Sequence, residues 1–474
     1  MAPAQQGITE RLAEYIGSLK YDDLPLNVVQ QAKKIILDAL ACQLACSQLE
    51  NGRLILQFGR TPGGHSEASV IGGDYRTSAM NAALVNGTLG HGDEIDESLE
   101  GIGHVSAVVV PVAFACGEKE SRSGKEMITA VIGGYDVAGR LANAGMITGR
   151  LTPGLGTAML SAFPGAAAAS SILKLNPCQT RIAFGLAASQ AGGFYDLSSE
   201  AKHGAKSAMH GFVARDSVTA ALLAQMGYDG PQAPFDGSRN VFDTFVGQAY
   251  DPAELTKDLG LKFSIMDTCL KLYSAGHPIH AAVHALLKIL TREGISAEDI
   301  KSVLVRQPTV EQRVVDNREM PEINIQYCLA VAAFDHKLTW DQYSPQRVND
   351  PKVLDLKNRV KSIPDPLLDE RKKTTRAHSA DVEVKTRDGR EFSERTDYPP
   401  GDPGNPASRE QIEQKAMHYA SGVLGREKTE ALIETVNTLE AVTDLNYLGE
   451  LLRIQNPETQ HEVKQVKKDN GRTR

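Results

Sequence analysis

The sequence predicts a mainly α fold in which a large all-helical domain is joined by a smaller α+β domain. Apolar residues recur at helical spacing through most of residues 1–264. Alternating, strand-like segments are confined to residues 265–395. Helical spacing then returns after a segment rich in proline and glycine. We therefore expect residues 396–454 to pack back on the large domain and residues 455–474 to form a disordered tail.

The helices of the large domain are predicted from apolar stripes and capping residues. Residues 26–44 carry apolar side chains three or four positions apart, as on one face of a helix. Ser123 and Glu126 have the spacing of a capping box ahead of a second helix. Residues 183–193 are rich in Ala, Gly and Ser, which suits a central helix with close neighbours, and residues 213–226 form a further amphipathic stripe.

The smaller domain is predicted from one helix, one strand and one hairpin. Residues 280–291 have helical spacing, and residues 302–306 form a short apolar run typical of a strand. Residues 380–386 alternate apolar and polar side chains, and the turn residues 387–390 and a return strand from residue 391 follow them. This mixture predicts an α+β arrangement.

Composition narrows the class of protein. The chain has 474 residues of which 41% are hydrophobic, which is enough for a substantial core. Its formal net charge of -8 argues against a nucleic-acid-binding surface. No apolar run reaches the roughly 18 residues of a membrane span and no signal-peptide core is visible, so we expect a soluble cytoplasmic protein. The six cysteines form no C-x-x-C pair, so we expect reduced thiols and no zinc or redox motif.

The first candidate for chemistry is the segment 91–104. It contains two histidines and five carboxylates and precedes the almost wholly apolar run 105–115. Charges beside a core are costly unless they are paired or used. Three interpretations stay open: a solvated acidic loop with one structural histidine, a carboxylate–imidazole pair for acid–base catalysis, or a metal site of carboxylates and histidine.

Two later segments add cations and imidazoles. Residues 202–211 precede a predicted helix, so helix N–H groups, Lys206 and His210 could converge on a carboxylate, although an ordinary basic turn would also explain them. Residues 271–284 lie at the predicted domain junction, where ligand clefts are common. Their His-x3-His pair from His280 would suit core packing or substrate binding, while zinc binding lacks the HExxH pattern.

These three segments, in this order, resemble the MmgE/PrpD superfamily, which includes 2-methylcitrate dehydratase, cis-aconitate decarboxylase and iminodisuccinate epimerase. The stretch from Asn86 to Ser98 reads N-G…H-x-x-E-x-D-E-S and looks like the family run N-G…H-x-x-D-x-D-D-T. The motifs H-x-S-A from His104, K-x3-H-G from Lys206 and K-x-Y…H-A-A from Lys271 are similar to three further family motifs. Together they are specific.

The resemblance covers most of the chain and implies a fold and a chemistry. It implies a large helical domain and a smaller α+β lid, with the active site between them, in a homodimer. It also implies chemistry on a small di- or tricarboxylate that needs neither a metal nor an organic cofactor. A proton next to a carboxylate is abstracted or shifted, with loss of water, loss of CO2 or inversion of configuration.

The resemblance also implies roles for five catalytic residues. His104 or His280 is expected to act as the acid or base, and Lys206 is expected to anchor a substrate carboxylate and stabilise developing negative charge. Glu94 and Asp96 are expected to orient the imidazoles or the substrate. Their neighbours in the loop, Asp93 and Glu97, are expected to be ordinary solvated charges.

Five further residues are predicted to contact substrate: His277, His210, Tyr327, Arg150 and Tyr273. Arg150 lies two positions before Thr152-Pro153. Many members of the family carry a histidine in this run. We expect Arg150 or His277 to replace that missing donor.

The predicted function is therefore a cofactor-independent lyase, either a dehydratase or a decarboxylase, or an isomerase such as an epimerase. One alternative is a metal-dependent hydrolase that uses the His91–His104 cluster. The other is a family member that keeps the fold without catalysis.

Overall fold

The computed structural model describes residues 6–147, 151, 157–193, 200, 202–247 and 250–454. Arg150 and the predicted tail at 455–474 lie outside the described residues. The mainly α prediction is confirmed, since 60% of the structure is helical and 8% is in strands. None of the described helices is long and apolar enough to cross a bilayer.

The described helices are numbered in chain order. They are α1 (Ile8–Ser18), α2 (Leu26–Cys46), α3 (Glu50–Phe58), α4 (Ala79–Gly90), α5 (Ser106–Lys119), α6 (Gly124–Asn143), α7 (Ala162–Ile172), α8 (Pro177–Gln190), α9 (Ala205–Gln225), α10 (Val241–Phe245), α11 (His280–Glu293), α12 (Thr309–Val315), α13 (Ile325–Asp335), α14 (Pro345–Val348), α15 (Pro351–Lys357), α16 (Pro366–Thr375), α17 (Arg409–Leu424), α18 (Arg426–Asn437) and α19 (Asn446–Leu452). The strands are β1 (Ala68–Ser69), β2 (Arg76–Thr77), β3 (Ser98–Leu99), β4 (Thr268–Cys269), β5 (Ile300–Gln307), β6 (Val360–Pro364), β7 (Ala380–Thr386) and β8 (Glu391–Thr396).

Two apolar cores divide these elements. The larger core contains residues of α1, α2 and α4 to α10 and also of α17 to α19, so Ile412 and Leu448 are fully buried together with Ile36 of α2. The smaller core contains residues of α11, α12, α13 and α15 and of the sheet, including Leu286 and Val303. The C-terminal helices thus share the core of the large domain. The division into a discontinuous helical domain and an α+β domain, with its boundaries, stays a prediction.

The helical domain contains helices where the sequence predicts them, with shifted ends. The capping box at Ser123 is present, because its hydroxyl accepts from the Glu126 N–H and the Glu126 carboxylate accepts from the Ser123 N–H. Helix α8 ends at Gln190, three residues before the predicted end. Helix α9 begins at Ala205, eight residues before the predicted start, so Lys206 and His210 lie inside the helix.

Helices α4 and α9 approach closely because glycines face each other's backbone. A Cβ at Gly211 would lie 2.0 Å from Thr88 Oγ1 and 2.4 Å from the Leu84 carbonyl oxygen. A Cβ at Gly87 would lie 2.9 Å from Ala214 Cβ. This close approach brings the end of α4, and the loop that follows it, beside the first turns of α9.

The α+β domain is built on a four-stranded sheet in the order β6-β5-β7-β8. Strands β5 and β6 are parallel, and the other neighbours are antiparallel. Alternate side chains of β7, such as Val382 and Val384, are buried in the smaller core. The predicted hairpin is confirmed, and Gly389 supplies its left-handed turn residue with φ +92°.

A two-residue ladder lies in the helical domain, just before the chain enters the α+β domain. Strand β3 pairs with β4 in antiparallel register, Ser98 opposite Cys269 and Leu99 opposite Thr268. The next residue, Leu270, donates its N–H to the Gly401 carbonyl at 2.9 Å. The loop after α4 is therefore attached to the chain segment that leads to Lys271 and into the α+β domain. This ladder and the β1–β2 pair are small additions to a domain predicted as all-helical.

Candidate active site

The centre of the site is Asp96, which holds two histidines. Its Oδ1 lies 2.8 Å from His91 Nδ1, and its Oδ2 lies 3.0 Å from His104 Nδ1. His104 Nδ1 also faces the Glu97 carbonyl oxygen at 3.1 Å. Because both neighbours of that nitrogen are acceptors, Nδ1 of His104 carries a hydrogen, and Nε2 is the nitrogen that can exchange a proton.

Glu94 is the second focus of the site, because two lysines bind its carboxylate. Lys206 donates to Oε1, and Lys271 donates to Oε2 at 2.7 Å. Burial alone would raise the pKa of Glu94, but the two ammonium groups outweigh burial and hold this pKa well below its usual value. The carboxylate that Lys206 was expected to meet is therefore supplied, in this structure, by the protein itself.

Three imidazoles stack beside this pair of carboxylates. The ring centroids of His91 and His104 are 3.6 Å apart, and that of His210 is 4.8 Å from His91. Burial, and next the neighbouring His104, lower the pKa of His91 well below its usual value and that of His210 to about 3. The His104 side chain keeps 15% of its exposure, whereas the His91 side chain keeps none. His104 is thus the most exposed of the three imidazoles.

The loop itself is buried, which contradicts the expectation that Asp93 and Glu97 are solvated. Asp93 is 8% exposed and Glu97 is fully buried. Glu97 accepts the Ser106 N–H at 2.6 Å at the start of α5. Burial, and next the charge of Asp96, raise the pKa of Glu97 to about 8. Burial, and next the charge of Glu322, raise the pKa of Asp93 to about 7.

A largely buried lysine from the C-terminal helices binds the loop that carries Glu94 and Asp96. Lys415 of α17 donates to the Ile95 carbonyl at 2.6 Å, between Glu94 and Asp96 in the chain. Its ammonium also lies 2.6 Å from Oδ1 of Asp38 in α2. No sequence pattern indicated this contact, because Lys415 is far along the chain from its partners.

His280, Tyr273 and His277 form a neighbouring group beyond Lys271. His280 begins α11, is fully buried and has its Nε2 3.1 Å from the Ala275 carbonyl oxygen. Burial, and next the charge of Lys271, lower the pKa of His280 to about 3. The Tyr273 hydroxyl lies 3.0 Å from Nδ1 of His284, so the two histidines of the His-x3-His pair have different partners.

His277 lies at a cavity between the two domains. Its ring packs 4.0 Å from that of His378. His378 Nε2 lies 2.5 Å from Glu100 of the helical domain, and its Nδ1 lies 3.0 Å from Glu311 of the α+β domain. Burial alone would lower the pKa of His378, but Glu311 and Glu100 outweigh it and raise this pKa to about 9. The cavity, of about 360 Å³, is lined by His277 and His378 and also by Ser98.

The structure brings the predicted residues into two groups. Glu94, Asp96, His104, Lys206 and His210 form one cluster, which Lys271 joins to the group of His280, Tyr273 and His277. Tyr327 is not brought to the cluster, because its hydroxyl donates to the Gln342 carbonyl inside the α+β domain. Lys271 was part of a quoted motif but was not predicted as a site residue.

Three groups of the described residues place potential metal-ligand atoms within 4.8 Å of one another. They are His91, Glu94 and His203; His91, Asp96 and His104; and Asp93, His203 and Glu322. The second group is the one that the hydrolase alternative would use. Both oxygens of Asp96 already accept from the Nδ1 atoms of the two imidazoles there, so a metal ion bound by this group would have to replace these two hydrogen bonds.

Comparison with known proteins gives the family of the chain. The model of the MmgE/PrpD N-terminal domain matches residues 10–253, and that of the MmgE/PrpD C-terminal domain matches residues 273–441. The chain is 27% identical to the cis-aconitate decarboxylase-like protein oryM of Aspergillus oryzae, across 94% of this chain and 97% of the relative. It is 26% identical to cis-aconitate decarboxylase of Aspergillus terreus, across 95% and 96%. It is 27% identical to cis-aconitate decarboxylase of Mus musculus, across 97% and 96%. The chain therefore belongs to the MmgE/PrpD family.

Proposed function

We propose that the protein is a lyase that removes CO2 from a small di- or tricarboxylate of the cis-aconitate type, without a cofactor in the chemical step. The observation that carries this proposal is His104, whose Nδ1 is fixed by Asp96 in the same cluster in which Lys206 and Lys271 bind Glu94. The relatives that are named cis-aconitate decarboxylases favour decarboxylation over dehydration or epimerisation.

The lysines supply the charge that a carboxylate substrate needs. Lys206 and Lys271 carry two positive charges against the single negative charge of Glu94. Asp96 adds a second negative charge, which the imidazolium formed at His104 in the reaction balances, so one positive charge is then left over in this buried cluster. Because buried charges interact more strongly than solvated ones, this excess favours binding of a substrate carboxylate and of the carbanion that forms when CO2 leaves.

His104 supplies the proton. A proton taken up at Nε2 makes an imidazolium, which the carboxylate of Asp96 stabilises through Nδ1–H. When the carbon–carbon bond to the departing carboxylate breaks, its electron pair stays on the substrate carbon. The His104 Nε2–H then donates its proton to the resulting dienolate, and the product leaves with one carboxylate fewer.

Proton NMR in D2O tests the proposal with cis-aconitate and a panel of other di- and tricarboxylates. We expect the enzyme to convert one of them to an acid that has lost CO2 and gained one deuterium at carbon. Conversion with loss of water would instead support a dehydratase, and deuterium exchange without net reaction would support an epimerase. No change in any acid, together with no thermal stabilisation by any of them, would contradict the proposal and support a non-catalytic protein.

Two variants of matched chemistry then test the anchor. Lys206→Met removes an ammonium that binds Glu94. Lys202→Met removes an ammonium from the same chain segment, but the Lys202 side chain is 73% exposed and pairs with Glu50 at the surface. We expect Lys206→Met to lose about 2–5 kcal/mol of transition-state stabilisation and Lys202→Met to retain wild-type turnover. Equal turnover by both variants would refute the anchoring role.

A further inference from the structure

Asp93, His203 and Glu322 meet just outside the Glu94 cluster. Asp93 lies in the loop after α4, His203 lies just before α9, and Glu322 lies before α13 in the α+β domain. Asp93 and His203 are 8% and 5% exposed, and the Glu322 side chain is 12% exposed. His203 Nε2 is 3.2 Å from Glu322 Oε1, and one potential ligand atom of each residue lies within 4.8 Å of the other two.

The charges of this group are not balanced by the surrounding protein. In the part of the chain that the structure describes, no lysine or arginine forms an ion pair with Asp93 or Glu322, whereas Glu94 next to them has two lysines. Neither ring nitrogen of the buried His203 makes a hydrogen bond. Two carboxylates and an unsatisfied imidazole in a buried place are costly without a further positive group.

The other two groups of potential ligands are already satisfied in a different way. Glu94 is neutralised by two ammonium groups, which would repel a metal ion beside it. Asp96 is occupied by the Nδ1 atoms of His91 and His104. In the group formed by Asp93, His203 and Glu322, the Asp93 carboxylate accepts the Glu94 N–H at 2.6 Å, but no described lysine or arginine pairs with either carboxylate and both ring nitrogens of His203 lack a hydrogen bond.

We propose that Asp93, His203 and Glu322 bind a divalent transition-metal ion of the Mn²⁺ or Zn²⁺ type. Two carboxylates and one imidazole are donors that such ions accept. Asp93 and His203 belong to the helical domain and Glu322 to the α+β domain, so the ion fastens the two domains beside the site. The inference does not rest on the proposed decarboxylation, because no step of that reaction passes through the ion.

Mn²⁺ binding measured by electron paramagnetic resonance tests the site without substrate. The purified full-length protein is treated with chelator, freed of it and titrated with Mn²⁺, and the signal of the free ion reports how much is bound. We expect one Mn²⁺ per chain, displaced by Zn²⁺. The variant Glu322→Gln, whose carboxylate belongs to this group alone, is expected to weaken binding by at least about tenfold, since loss of even an indirect partner of a metal ligand has such an effect.

Three variants separate this site from its neighbours. Glu319→Gln removes an exposed carboxylate close to Glu322 in the chain and is expected to leave Mn²⁺ affinity unchanged. Glu94→Gln and His104→Gln each disable one of the other two groups and are expected to retain Mn²⁺ binding. Binding that is lost in His104→Gln or Glu94→Gln but kept in Glu322→Gln would overturn the assignment, as would the absence of Mn²⁺ and Zn²⁺ binding by the wild-type chain.

Thermal unfolding provides a second readout that also checks folding. Saturating Mn²⁺ is expected to raise the Tm of the wild-type chain and of Glu319→Gln, because the ion binds the folded state. Glu322→Gln should show no such rise. If Glu322→Gln is unfolded without metal, the conservative variant Glu322→Asp replaces it, and weakened Mn²⁺ binding by that folded variant supports the same site.

Discussion

Removal of the Lys271 ammonium should show how much of the site depends on the second lysine. Lys271 is 1% exposed, and its Nζ lies 2.7 Å from Glu94 Oε2. Burial alone would lower the pKa of Lys271, but Glu94 and Asp96 together outweigh burial and raise this pKa, so the ammonium is present at neutral pH. In Lys271→Met the site loses one positive charge, and only Lys206 then pairs with Glu94.

The size of the effect follows from that change in charge. Removal of one partner of a buried pair costs about 3–5 kcal/mol of stability, and the remaining contact with Lys206 places this case near the lower end. For catalysis we expect a loss of about 2–3 kcal/mol in transition-state stabilisation, which is a fall in kcat/KM of roughly 30- to 150-fold. Lys33→Met is the matched control. Lys33 is also buried, and its Nζ lies 3.0 Å from Glu440 Oε2. This pair is not part of the site.

A double-mutant cycle with Glu94→Gln measures the pair directly. We expect Lys271→Met and Glu94→Gln to be coupled in unfolding free energy by about 1–3 kcal/mol, because the double variant no longer contains an unpaired buried carboxylate. Urea unfolding gives the stabilities, and turnover of the substrate found by NMR gives kcat/KM. Additive stabilities, or a Lys271→Met enzyme with wild-type kcat/KM, would refute the reasoning.

Three other perturbations test features around the site. Lys415→Met should lower kcat/KM while Lys33→Met does not, because only Lys415 holds the Ile95 carbonyl of the loop; equal activities would contradict this. The folded pKa of His378, about 9, exceeds its unfolded value of about 6.5, so its contribution to stability is complete below the lower value and is lost as pH rises through the higher one. The unfolding free energy should therefore fall between these two pH values, and it should fall less in His378→Gln. If its pH dependence is the same in His378→Gln as in the wild type, His378 does not contribute in this way. Gly211→Ala should destabilise the fold by about 1–3 kcal/mol in chemical unfolding, because its Cβ meets the Leu84 carbonyl; wild-type stability would show that the helices can separate.

Local features of the fold could be predicted because neighbouring residues determine them. The capping box at Ser123 and the hairpin around Gly389 depend on residues a few positions apart, and both are present. The start of α9 was placed too late because residues 205–212 carry no apolar stripe of their own. Glycine and small side chains on that part of the helix pack against α4, and sequence periodicity does not show such contacts.

The site could be predicted in part, since motifs show which residues occur but not what covers them. Glu94, Asp96, His104 and Lys206 do come together. Asp93 was expected to be solvated, yet it is buried where the two domains meet, and its neighbour Glu322 comes from more than 200 positions further along the chain. Burial of a loop charge depends on long-range packing, which no local pattern in one sequence reveals.

The two lysines on Glu94 reach it from different parts of the molecule. Lys206 stands on α9 of the helical domain, and Lys271 stands on the segment that leaves β4 for the α+β domain. The charge balance of the site therefore exists only while both domains are folded and in contact. Partial unfolding of either domain would expose or unpair Glu94. We therefore expect the two domains to unfold cooperatively and a ligand bound at the site to stabilise both.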